Sequence, residues 1–189
     1  MKAIFKQAII VASLAFVTAF SAQADGSSAA MTAALAELAA YQSQEAKVGE
    51  RLKTFDILDF EVFSGQQWNR LHESHAEDIV VHWPDGRATS GLDVHIEDLK
   101  AFFVYAPDTR IETHPIRIGQ GEWTGVVGVI EGTFSGRMPL GNGKFIEPTG
   151  KPYKLTMATI GHWNEQGVMD EEYLFWDNLA FMKQIGLAE

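Results

Sequence analysis

Cysteine is absent from the 189-residue chain, which removes disulfides, thiolate metal ligands and a cysteine nucleophile. Its six prolines leave most of the backbone free to enter helix or sheet. Basic side chains are also scarce, 15 Lys and Arg against 25 Asp and Glu, for a formal net charge of −10. Nucleic acid and anionic lipid surfaces are poor partners for such a chain. Beyond the N-terminus no stretch approaches the ~18 apolar residues of a membrane span. Neither a Walker sequence nor a nucleophile-elbow serine occurs. Gly119, Gly121 and Gly125 miss the dinucleotide spacing by one residue and precede a strand rather than a helix. The composition suits a small, largely uncharged ligand.

What is present begins with a leader. Lys2 and Lys6 form a positive region, Ala8 to Phe20 an apolar run, and Ala22-Gln23-Ala24 a small-x-small cleavage site. We expect removal after Ala24, export to the periplasm or medium, and no membrane attachment afterwards. The organisation expected is a signal peptide over 1–24, an N-terminal helical arm over 25–55 and one folded domain over 56–189.

Ala29 to Arg51 is rich in Ala, Glu, Gln and Leu, all helix formers. Asp59 to Ala76 carries Phe60, Phe63, Trp68 and Leu71 at helical spacing, with Ser64-Gly65 a potential break. Ile79 to Trp83 reads as a strand, Pro84-Asp85-Gly86 as a turn and Gly91 to Tyr105 as a helix with His95 on its apolar face. Four strands follow at Ile111 to Ile118, Trp123 to Phe134, Lys154 to Trp163 and Met169 to Trp176. Helices first and strands after them indicate an α+β domain. Gly125, Gly128 and Gly132 in one strand admit two readings, bulges that curve the sheet or close packing. Arg137 to Tyr153 reads as a long hairpin loop at a pocket rim.

The chemistry concentrates near the C-terminus. EEYLFW alternates Glu171, Tyr173 and Phe175 on one face with Glu172, Leu174 and Trp176 on the other. Asp177 continues the first face and starts the helix Asn178 to Ile185, so it is either an N-cap or a carboxylate in an apolar concavity, where desolvation would make it a base. A base in such a concavity calls for a facing hydrogen-bond donor where charge builds, and His162 and His82 are the candidates. Trp68, Trp83, Trp123 and Tyr173, with Glu171, are the candidate pocket walls. His72-Glu73-Ser74-His75 is one residue short of a zincin helix, so no metal site is expected there.

In order, a helical pair, EDIVVHWPDG, Gly91 opening a helix, an aromatic pair ahead of Pro107-Asp108, PTGKPY and the ending NEQGVMDEEYLFWDNLAFMKQIG resemble the SnoaL-like polyketide cyclase family. The match runs from about Asp59 to Leu187. The resemblance implies a cone-shaped α+β barrel of the nuclear transport factor 2-like (cystatin-like) superfamily, with a curved antiparallel sheet and covering helices around a deep pocket. It implies that Asp177 is the acid/base of an aldol-type ring closure on a hydrophobic carbonyl substrate, without metal or organic cofactor. A cyclase, isomerase or dehydratase of this kind is one reading; a non-catalytic periplasmic ligand-binding protein, with Asp177 only a cap, is the other. A homodimer is expected because a small cone leaves one sheet face apolar, Val126 and Ile130 lying opposite Val127 and Val129.

Overall fold

The computed structural model describes the chain in full, backbone and side chains, over residues 28–189. The signal peptide expected over 1–24 lies outside these described residues. The chain divides into two units, Met1–Gln44 and Glu45–Glu189. From Ile4 the first is helical, part of α1 (Ile4–Ile57), as the Ala- and Glu-rich composition dictates. Among the described residues no helix is long and apolar enough to cross a membrane.

The second unit holds the site. From Glu45 the last turns of α1 bury Val48 and Phe55 and run into one π-helical turn, Leu58–Phe63. A 3-10 turn, Trp68–Glu73, follows. The predicted break between them is real: at Gly65 a Cβ would collide with the Glu61 carbonyl oxygen, so only glycine lets the chain turn there. The second piece is shorter than predicted, and His75 already opens β1 (His75–His82). That boundary matters, because it turns the His75 side chain inward, where it is 2% exposed.

β2 (Ala88–Ser90) pairs antiparallel with β1, and α2 (Leu92–Tyr105) starts at Gly91, whose φ of 98° favours glycine. β3 (Arg110–Ile111) and β4 (Ile116–Gln120) replace the single strand expected over Ile111 to Ile118. β5 (Trp123–Thr133), β8 (Pro152–Trp163) and β9 (Met169–Phe175) form the middle of the sheet. Its order is β2-β1-β9-β8-β5-β3, with β4 also on β5. All pairings are antiparallel except β1 with β9. β6 (Met138–Gly141) and β7 (Lys144–Ile146) make a separate hairpin, its Asn142 and Gly143 both at positive φ as a tight two-residue turn requires. These hairpin residues do not line the cavity described below, contrary to the expected rim. α3 (Asn178–Gln184) closes the chain.

The β5 glycines settle on close packing. The β5–β8 register runs without a shift from Trp123 to Thr133, and a Cβ on Gly132 would meet the Tyr153 hydroxyl at 2.7 Å.

Alternation along the strands sorts residues to two faces. Inward go Val126 and Ile130 of β5, Tyr153, Leu155 and Trp163 of β8, and Met169 and Leu174 of β9, all buried. Trp163 is fully buried with its indole N–H donated to Thr124 Oγ1 at 2.8 Å, so its ring adds apolar burial without an unpaired donor. α2 and the π-turn cover this concave face, contributing Phe103, Leu58, Val62 and Phe63. Two rows cross the outer face by register: Ile118, Gly125, Ile160, Tyr173 and His82, then Ile116, Val127, Ala158 and Phe175.

Candidate functional site

Between α2 and the concave face lies a cavity of about 40 Å³, room for a few waters or a compact ion. A second, of about 170 Å³, shares Phe102, Ile130, Met157 and Trp176 with it. The walls of the first are mostly apolar, including Leu58, Leu99, Leu174 and Trp83. Four titratable groups interrupt them: Asp59, His75, His95 and Glu172.

Asp59 comes from the π-turn, and His114 from the segment between β3 and β4 holds it. His114 Nε2 is 2.8 Å from Asp59 Oδ2, and its Nδ1 is 2.8 Å from Asp56 Oδ1. Arg117 in turn binds Asp56. Burial pushes the Asp59 carboxyl above the usual carboxylate range, although the His114 bond opposes it. Burial works against a charged His114, yet the bonds to Asp59 and Asp56 outweigh it and hold its pKa above the ordinary imidazole value. The result is a carboxyl at the cavity wall with a proton partner behind it.

β1, α2 and β9 bring the other three together. Glu172 Oε2 lies 3.4 Å from His95 Nε2 and 3.8 Å from His75 Nε2, and all three residues are under 5% exposed. Burial drives the His95 pKa down to about 4, leaving it neutral at pH 7. Burial raises that of Glu172, but the two imidazoles facing it more than offset this, so the carboxyl stays ionised. Behind His75, its Nδ1 lies 2.9 Å from Ser74 Oγ and 3.3 Å from the Leu71 carbonyl.

The residues singled out from the sequence fall elsewhere, Trp83 excepted. Asp177 is exposed, does not line the cavity, and accepts the Ala180 N–H at 2.9 Å as the N-cap of α3. Trp68 packs edge-on against Phe63 and Phe103 in the core. The other five gather on the outer face. His82 stacks on Tyr173 at 4.1 Å and contacts Glu171 at 2.9 Å, and the Tyr173 hydroxyl donates to Glu171 at 2.7 Å. His162 bonds Asp170 at 2.6 Å and faces Trp123 at 4.8 Å. Their shifts follow from these bonds: Tyr173 and then His82 lower Glu171, Glu171 raises Tyr173, and Asp170 raises His162. The β9 alternation was legible but its inner face was misassigned, because Leu174 and Trp176 carry Glu172 inward while Glu171 faces out. Asp59, His95, His114 and Glu172 were not singled out as site residues from the sequence, and His75 was considered there only in the rejected zincin-like pattern with His72. The available signal was an ionisable residue set in an apolar face, as His95 is among Leu92, Ile96 and Leu99.

A curved mixed sheet wrapped by helices around an apolar cavity with acid and base groups defines a small-molecule pocket protein of the nuclear transport factor 2 and ketosteroid isomerase-like fold. The model of the SnoaL-like polyketide cyclase family matches residues 56–185, and the chain belongs to that family. Among solved structures it is similar to IdmH, a proposed polyketide cyclase from Streptomyces antibioticus, at 22% identity and a TM-score of 0.61, covering 72% of this chain and 98% of that one. A SnoaL-like protein from Jannaschia sp. CCS1 is similar at 19% identity and a TM-score of 0.64, covering 75% and 94%. A third, from Xanthomonas campestris, stands at 13% identity and 0.62, covering 76% and 99%. No curated protein sequence matches the chain.

Proposed function

We propose that the protein is an exported enzyme of the cyclase or isomerase kind that moves a proton on a small hydrophobic carbonyl compound held across this cavity and the larger one that shares its wall, with Asp59 as the base. The observation that carries this is the Asp59 carboxyl on an apolar wall, bonded at 2.8 Å to a histidine whose other nitrogen is itself anchored at 2.8 Å. A carboxyl raised toward neutrality by burial is matched to taking a proton from carbon, and a fixed partner spares it reorganisation. His75 and His95 on the same cavity wall mark the side where charge develops on the carbonyl oxygen. We also infer that the outer face of the sheet pairs with a second copy, giving a homodimer.

Exchange of the α-hydrogens of small cyclic ketones for deuterium, followed by NMR, tests the reaction without knowledge of the natural substrate. Asp59→Asn should lower the exchange rate by roughly 10²- to 10⁴-fold. Asp177→Asn, which preserves a good N-cap, should leave it unchanged. Wild-type protein inert toward the whole panel, or Asp59→Asn as active as wild type, defeats the reading.

A further inference from the structure

Three ionisable side chains from three separate elements meet inside the cavity in a way that hydrogen bonding alone does not explain. His75 Nδ1 lies 2.9 Å from Ser74 Oγ, which can donate or accept, and 3.3 Å from the Leu71 carbonyl. Donation from Nδ1 to Leu71 leaves the Nε2 lone pair free to ligate. Glu172 Oε2, 3.8 Å from that nitrogen, is an acceptor. Both atoms are buried and without a hydrogen-bond partner. A buried imidazole nitrogen and a buried carboxylate oxygen left unpartnered side by side are a costly arrangement unless something bridges them.

We propose that His75, His95 and Glu172 bind a divalent first-row transition-metal cation, each through one atom, with a further coordination position open to the cavity. His95 Nε2 lies 3.4 Å from the same Glu172 oxygen, and the three ligand atoms all lie within 4.8 Å of one another. A tetrahedral ion about 2.0–2.1 Å from each ligand spaces its ligands roughly 3.3 Å apart, so side-chain rotations of about an ångström complete the set. Two imidazoles and one carboxylate suit zinc, iron(II) or cobalt(II) rather than calcium or magnesium, which prefer all-oxygen shells. The backing of His75 by Leu71 and Ser74 is the outer support that orients a ligating histidine. All three ligands line the cavity, so a water or a carbonyl oxygen can fill the open position, where the ion would polarise it as a Lewis acid.

This departs from the cofactor-free expectation drawn from the sequence. It does not depend on the reaction proposed above, because binding is read without turnover. The chelator-treated full-length protein is titrated with zinc and with cobalt(II), followed by calorimetry, visible absorption and thermal melting. One equivalent per chain at micromolar affinity or tighter is expected, with cobalt d–d bands of a nitrogen- and oxygen-ligated site and a raised Tm. Glu172→Gln and His95→Gln should each weaken binding by at least 100-fold, with circular dichroism checking their folding. His162→Gln, which removes the outer-face histidine, should bind as wild type does. Absence of stoichiometric binding to wild-type protein overturns the proposal whatever the variants do. So does binding that survives both cavity substitutions, or that disappears with His162→Gln.

Discussion

What a carboxyl can do is set by what surrounds it, and Asp59 and Asp177 stand in contrasting places within one chain. Asp177 stands in solvent with its oxygen on a helix N–H, where capping is all its position asks of it. Asp59 is buried against His114, so its proton is shared with a neighbour 55 positions away. That separation is why the pair was not legible in the sequence: an N-cap is a local pattern, whereas a cavity dyad exists only once the π-turn and the β3–β4 segment have met. The dyad makes a pH prediction. The folded pKa of His114 is raised, so its contribution to stability is full below the unfolded imidazole value of about 6.5 and is lost as pH rises through the folded pKa. Histidine titration by NMR should place the His114 midpoint above that unfolded value. A midpoint below it contradicts the pairing.

At the scale of elements, most strands and helices could be read from periodicity and turn residues, and the errors have a common cause. Period-2 alternation identifies β9 as a strand but leaves open which face is buried. That choice follows from its place between β1 and β8, a long-range fact. Choosing the Glu171 face placed His82, His162, Tyr173 and Trp123 in a supposed pocket, whereas the register sets them side by side on the outside. The same outer face explains the dimer we infer, since Ile116, Ile118, Ile160 and Phe175 on adjoining strands are all exposed, a contiguous apolar patch that a second copy would cover. Sedimentation at micromolar concentration should show a dimer, and Ile160→Asp should shift it to monomer. Wild-type protein that is monomeric throughout contradicts this use of the face.

For the molecule as a whole, the order of elements carried the family and the fold, because a run of helices followed by long antiparallel strands has few compact solutions. The location of the site was harder. The cavity is lined from the π-turn, β1, α2, β5, β8 and β9, so no short motif contains it, and function on a shared fold resides in such assembled groups. The account stands on the claim that a small carbonyl compound binds in this cavity and not on the outer face, and the tryptophans report on the difference. Trp83 and Trp176 line the cavity, while Trp123 lies exposed among the outer-face histidines. Titration of the isotope-labelled protein with a cyclic ketone, following the indole N–H resonances, is the most direct measurement. Saturable shifts of Trp83 and Trp176 with Trp123 unmoved are the predicted result; shifts confined to Trp123, or none at any ketone concentration, would contradict it.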